Sequence, residues 1–127
     1  MTVLIVEHNP LVALDLTEMI GEMGITRIFV VTNEREARKV AQEQPVTIAL
    51  LDVNIRTGQD SAALALHLAS QNNTKIIYLV NDTTTSSLRR AQEINPFSII
   101  GKPFSDEEIT DAVKLAMISD DGTLANS

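Results

Sequence analysis

The chain contains five short runs of apolar residues, each followed by a longer segment in which apolar residues recur with helical spacing. The runs cover residues 3–6, 28–31, 46–51, 76–80 and 97–100. Their length and their content of Val and Ile predict five β-strands. Strict alternation of strands and helices predicts a parallel sheet with helices on both faces. The connections between successive strands are expected to be right-handed crossovers.

Polar residues at the starts of the helical segments predict where the helices begin. Asn9 and Asn33 precede the first two segments as N-caps, and Ser105 opens the fifth with a capping box that Glu108 completes. Gly24 ends the first segment. The fourth segment has a weaker signal, because residues 82–88 are rich in Thr and Ser side chains that compete for backbone hydrogen bonds. We therefore predict that these residues are the most mobile or irregular part of the fold.

Length and composition limit the class of protein. A chain of 127 residues fits one domain, which we place at residues 1–119, with a flexible tail at 120–127. The formal net charge of −7 argues against nucleic acid as a partner, since a phosphate-backbone binder needs a basic face. The sequence has no cysteine and no apolar stretch long enough for a membrane span or a signal peptide. We therefore expect a soluble, cytoplasmic protein.

Ionisable residues follow three of the predicted strands. Glu7 and His8 come after the first strand, Asp52 after the third and Lys102 after the fifth. Ligands of parallel sheets bind at the carboxyl ends of the strands, so we expect these four side chains to meet in one pocket. A carboxylate can accept a phosphoryl group, acids can hold a divalent cation, and a lysine can pair with phosphoryl oxygens. The set therefore indicates phosphoryl chemistry with Asp52 as the nucleophile.

The motifs "VLIVEHNP", "LLDVNI" and "GKPF" resemble those of the receiver domains of two-component response regulators, over residues 2 to about 118. This resemblance implies a flavodoxin-like α/β fold with five helices and a five-stranded parallel sheet in the order 2-1-3-4-5. It implies that Asp52 is the phospho-acceptor, that Lys102 pairs with the phosphate, and that Glu7 belongs to the acidic pair. It further implies that the carbonyl of Asn54 is a magnesium ligand and that the bond from Lys102 to Pro103 is cis.

His8 departs from the family pattern, in which the second member of the acidic pair is usually an Asp that binds Mg²⁺ directly. Imidazole is a poor ligand for Mg²⁺, which prefers hard oxygen donors, so we predict weak or absent magnesium binding. Two explanations of His8 remain open. A protonated His8 between Glu7 and Asp52 would partly replace the cation, whereas a neutral imidazole with two carboxylates would form a site for Mn²⁺ or Zn²⁺.

Three further positions, which in the family take part in the conformational switch, also depart from its pattern. Val80 stands where the family has a Ser or Thr that bonds a phosphoryl oxygen, and it has no hydroxyl group. Asn81 follows it where small residues are common. Ile99 stands three residues before the lysine, where the family usually has a Tyr or Phe. We therefore expect an altered switch.

These observations predict an atypical, stand-alone receiver domain rather than an enzyme, which accepts a phosphoryl group on Asp52 weakly and acts as a protein-interaction switch. Its expected partners are a histidine kinase or phosphotransfer protein, a downstream protein target, and a second copy of the chain. One alternative is a binding module that works without phosphorylation. Another is an aspartyl-phosphate phosphatase of the haloacid-dehalogenase type, although that family has a second Asp at the position of Asn54. A flavin or dinucleotide binder is a third alternative, but no Gly-rich loop follows the first strand.

Overall fold

The computed structural model describes residues 1–52, 61–80, 89 and 91–120. Five parallel strands form one sheet in the order β2-β1-β3-β4-β5, which confirms the predicted topology. The strands are β1 (Thr2–Val6), β2 (Arg27–Val31), β3 (Ile48–Asp52), β4 (Lys75–Val80) and β5 (Ser98–Gly101). The helices are α1 (Pro10–Glu22), α2 (Glu34–Glu43), α3 (Ser61–Asn72), α4, of which helical residues 89 and 91–93 are described, and α5 (Asp106–Asp120).

The central strands are apolar on both sides because both faces of the sheet are covered by helices. Successive side chains of a strand point to opposite faces. In β1, Val3 and Ile5 pack with residues of α1 and α5, whereas Leu4 and Val6 pack with residues of α2 and α3. The fold therefore has two hydrophobic cores, one on each side of the sheet.

Side-chain caps begin the helices where the sequence predicts them. The Oδ1 atom of Asn9 accepts hydrogen bonds from the backbone N–H groups of residues 11 and 12. Ser105 and Glu108 form the predicted reciprocal capping box of α5, with contacts of 2.9 and 3.1 Å. After α1, Gly24 has a φ of 90°, a left-handed conformation that glycine adopts without strain.

The third strand begins two residues later than the apolar run that predicts it. The backbone carbonyl of Val46 accepts a hydrogen bond of 2.7 Å from the hydroxyl of Thr74, and regular strand pairing starts at Ile48. At the other end β3 includes Asp52, which pairs in register with Leu79. The side chain of Asp52 is therefore positioned by the sheet.

Two predictions fall on residues outside the described ranges. These are the irregularity of residues 82–88 and the flexible tail, of which residue 120 is described as the last residue of α5. Among the described residues, no helix has both the length and the apolar content needed to cross a membrane.

Candidate functional site

The ends of three strands bring four ionisable side chains together at one edge of the sheet. Glu7 and His8 follow β1, Asp52 ends β3, and Lys102 follows β5. Two backbone hydrogen bonds extend the sheet by one residue, from the N–H of Glu7 to the carbonyl of residue 31 (3.0 Å) and from the N–H of Lys102 to that of Val80 (2.8 Å). The four side chains thus start from ordered backbone.

Lys102 lies between two buried carboxylates. Its Nζ atom is 2.9 Å from Glu7 Oε1 and 3.3 Å from Asp52 Oδ2. Glu7 and Asp52 are 2% and 0% exposed, so each would lose hydration without compensation if it had no cation nearby. The ammonium group supplies that compensation to both. The bond from Lys102 to Pro103 is cis, as predicted.

The second oxygen of Glu7 is also bound. Glu7 Oε2 accepts a hydrogen bond of 3.2 Å from the backbone N–H of Asn9, the residue that caps α1. The carboxylate of Glu7 is thus held at one oxygen by the lysine and at the other by the backbone. This side chain has little freedom to move away from Asp52.

His8 turns its Nδ1 atom toward the two acids. Nδ1 lies 3.3 Å from Asp52 Oδ2 and 4.0 Å from Glu7 Oε2, whereas the side chain as a whole is 32% exposed. The Nδ1 atom itself is buried, and among the described residues it has no hydrogen-bond partner. The approach to Asp52 is therefore a contact of ion-pair length without the alignment of a hydrogen bond.

The positions predicted to switch are placed unequally. Val80 ends β4 and is buried, and Ile99 lies in β5, partly buried against the core on the α2 and α3 side. Asn54 and Asn81 lie outside the described residues. β4 therefore ends in a buried apolar side chain at the position where the resemblance to the family implies a hydroxyl group.

One polar contact near the pocket was missed by the sequence analysis. The phenol oxygen of Tyr78, a buried residue in the middle of β4, lies 2.7 Å from the hydroxyl of Ser61 at the start of α3. Tyr78 pairs in register with Ile99, the position of the usual switch aromatic. In the sequence Tyr78 is one residue of an apolar run, and only the pairing of β4 with β5 shows that it neighbours the switch position.

The residues present fit a divalent cation in part. Glu7, His8 and Asp52 each offer one ligand atom, and these atoms lie within 4.8 Å of one another. The buried Nδ1 atom, which makes no hydrogen bond among the described residues, is available as a ligand. These donors are two carboxylate oxygens and one imidazole nitrogen. Mg²⁺ prefers oxygen donors alone, so this set fits the magnesium ion of the family poorly.

Comparison with known proteins identifies the family. The model of the response regulator receiver domain matches residues 3–114, and the chain belongs to this family, the receiver domains of two-component signalling. The transcriptional regulatory protein PdtaR of Mycobacterium tuberculosis is 28% identical over 117 residues, which are 91% of this chain and 56% of that protein. The chain thus spans about half the length of the curated relatives it matches.

Solved structures show the same fold. The signal receiver domain of a modulated diguanylate cyclase from Desulfovibrio desulfuricans G20 superposes with a TM-score of 0.82, is 28% identical, and covers 91% of this chain and 92% of its own. A response regulator from Thermotoga maritima superposes with a TM-score of 0.80 at 20% identity, covering 91% of this chain and 96% of its own. Each of these chains contains the receiver fold over almost its full length.

Proposed function

We propose that this receiver domain accepts a phosphoryl group on the carboxylate of Asp52 and transmits the signal through protein contacts. The observation that carries this proposal is the position of Lys102, whose ammonium group lies between the buried carboxylates of Glu7 and Asp52. A buried carboxylate beside a cation at the open edge of a sheet is a suitable nucleophile for an anionic phosphoryl donor.

The donor we propose is the phosphohistidine of a histidine kinase or a phosphotransfer protein. A carboxylate oxygen of Asp52 attacks phosphorus, the bond from phosphorus to the donor's imidazole nitrogen breaks, and that nitrogen takes up a proton from solvent. The product is an acyl phosphate on Asp52. Lys102 stabilises the charge on the transferred oxygens, which it can reach by giving up one of its two present contacts. A bound divalent cation would offset further negative charge at the same carboxylates.

We propose further that the domain is an acceptor and not a catalyst with turnover. Phosphatases of the haloacid-dehalogenase type have a second Asp two residues after the nucleophile, and this chain has Asn54 at that position. Without that second Asp, a phosphatase of this type lacks its general acid and base. The phosphatase alternative is therefore not favoured.

A second candidate is a binding module that works without phosphorylation. The buried apolar side chain of Val80 favours it, because no hydroxyl group is present there to bond a phosphoryl oxygen. Partner binding would then depend on surfaces whose conformation does not change with phosphorylation of Asp52.

For the downstream partner we propose a protein that binds the outer side of α5. Leu115 and Ile118 are exposed and lie three residues apart, so they share one side of the helix. Sedimentation of wild type and Leu115→Glu separates two forms of this partner, a target protein and a second copy of the chain. Self-association that the substitution abolishes identifies the second copy.

Phosphorylation of Asp52 is tested with acetyl phosphate and, separately, with a phosphorylated histidine kinase. The readout is the intact mass of wild type, Asp52→Asn and Asp15→Asn, each incubated with Mg²⁺ and with Mn²⁺. Asp15 is an exposed acid of α1 and provides the matched control. We expect one phosphoryl group on wild type and on Asp15→Asn, and none on Asp52→Asn.

Two results would contradict the proposal. If Asp52→Asn is labelled as fully as wild type, another residue is the acceptor. If wild type is labelled by neither donor with either ion, the domain works without phosphorylation and the second candidate replaces the first.

A further inference from the structure

We infer that Glu7, His8 and Asp52 form a metal site that is selective for a transition ion such as Zn²⁺ over Mg²⁺. The inference names the cofactor of the pocket to which the proposed function assigns phosphorylation, and its meaning for signalling rests on that function. Binding of the metal itself needs no phosphoryl group. Success or failure of the two proposals can therefore be measured separately.

The three side chains are already close enough to share one ion. Their ligand atoms lie within 4.8 Å of one another, with His8 Nδ1 3.3 Å from Asp52 Oδ2 and 4.0 Å from Glu7 Oε2. Glu7 is held in place by the backbone N–H of Asn9. Little rearrangement of this residue is needed for the site to form.

The state of His8 Nδ1 points to a ligand. This atom is buried, and among the described residues no donor or acceptor is aligned with it for a hydrogen bond. A buried polar atom that makes no hydrogen bond costs free energy, which coordination of a metal through its lone pair would remove. Neutral imidazole binds Zn²⁺ readily through either ring nitrogen.

The charge of the pocket disfavours Mg²⁺ in particular. Two carboxylates and the ammonium group of Lys102 leave one net negative charge when His8 is neutral. An Asp in place of His8 would add a second. Mg²⁺ is bound mainly by negative charge and hard oxygen donors. Having His8 in place of an Asp therefore lowers the affinity for Mg²⁺ more than the affinity for an ion that also bonds well to nitrogen.

The decisive quantity is the ratio of the Zn²⁺ affinity to the Mg²⁺ affinity. The order of affinities among the transition ions is nearly the same for all sites with nitrogen and oxygen ligands, so that order alone does not identify His8 as a ligand. The untagged full chain is stripped of metal and titrated with Zn²⁺, Co²⁺ and Mg²⁺ by calorimetry, without a phosphoryl donor. The same titrations are made on His8→Asp and on His67→Asn, the latter changing the second of the two histidines in the chain.

We expect wild type and His67→Asn to bind Zn²⁺ and Co²⁺ much more tightly than Mg²⁺. In His8→Asp the preference for Zn²⁺ over Mg²⁺ should fall at least about tenfold, with tighter Mg²⁺ binding. A ratio that is the same in wild type and His8→Asp would overturn the inference. The inference would also be overturned if His67→Asn lost Zn²⁺ binding and His8→Asp kept it.

A second measurement on wild type needs no substitution and remains valid if a variant fails to fold. Ring nitrogen resonances of ¹⁵N-labelled histidine are recorded during the Zn²⁺ titration. Coordination should shift one ring nitrogen of His8 and leave His67, on α3, unchanged. Zn²⁺ that shifts only the resonances of His67, or neither set, would show that His8 is not a ligand. Neither result would bear on whether Asp52 accepts a phosphoryl group.

Discussion

The charged end of β1, β3 and β5 and the neighbouring core of β4 and β5 differ sharply in chemistry. At the first, Lys102 contacts two buried carboxylates. At the second, Val80 and Ile99 are apolar, and Tyr78 is tied to Ser61. The groups that would accept a phosphoryl group are therefore present, whereas the side chains that usually respond to it are replaced.

This contrast separates two requirements of a receiver domain. Acceptance needs a nucleophile and cations at the strand ends, which depends on a few charged residues. Response in the family usually involves a hydroxyl group at the position of Val80 and an aromatic ring at the position of Ile99. The contact between Tyr78 and Ser61 joins β4 to the start of α3. The two regions can therefore be tested separately.

The largest effect is expected from Lys102→Met, which removes the cation of the charged end. Two buried carboxylates would then face each other, and we expect the free energy of unfolding to fall by about 3 kcal/mol. Urea denaturation measures the change. Lys114→Met, at an exposed position of α5, should cost less than about 0.5 kcal/mol. Equal losses in the two variants would show that the ion pairs of Lys102 add little to stability.

A smaller effect is expected from Tyr78→Phe in the neighbouring core. The ring still fills its place, but the contact with the Ser61 hydroxyl is lost, which should cost about 1 kcal/mol. Ser70→Ala is the control, since its hydroxyl binds the carbonyl of His67 at the surface. If Ser61→Ala and Tyr78→Phe lose the same amount singly and together, the two side chains act as one unit.

The smallest difference between the two regions is expected for Val80→Thr, whose main effect should lie in the response to a phosphoryl analogue and not in stability. Thr is nearly equal to Val in volume, but its hydroxyl group at this buried position should still cost about 1 kcal/mol or more. The phosphoryl analogue is beryllium fluoride. In wild type we expect amide NMR shifts at the ends of β1, β3 and β5 only. In Val80→Thr combined with Ile99→Tyr the shifts should extend along β4 and β5.

Ile99→Tyr alone is the control for that combination. Large shifts along β5 in wild type would remove the contrast between the two regions, since they would show a response that uses neither a hydroxyl group at position 80 nor an aromatic ring at position 99.

The order of the strands was expected from the resemblance to receiver domains, whereas the meeting of the four ionisable residues could be predicted from the sequence pattern for a simple reason. A buried parallel strand must be apolar, so the first polar residue after each run marks the edge of the sheet, as Glu7 and Lys102 do. Helix starts were equally readable, because a cap such as Asn9 or Ser105 bonds residues only two or three positions away.

Contacts between distant segments were not predictable in this way. The sequence analysis noted only that Ile99 stands where the family usually has a Tyr or Phe, yet Tyr78 pairs with Ile99 and reaches Ser61. The register of two strands and the rotamer of a buried ring determine such a contact, and neither leaves a local pattern. The bridging position of Lys102 between both acids is likewise a product of three strand ends, and no single motif specifies it.

The backbone on either side of His8 is fixed independently of the histidine. Glu7 is held by its N–H bond to residue 31 and its carboxylate bond to the N–H of Asn9, and Asn9 caps α1. Residue 8 can therefore be substituted without displacing the residues on either side of it. A series of variants with Asp, Asn, Cys and His at this one position would change the metal-ligating atom while the surrounding backbone stays the same. Receiver domains could thus acquire new ion dependence by a single codon change, without rebuilding the fold.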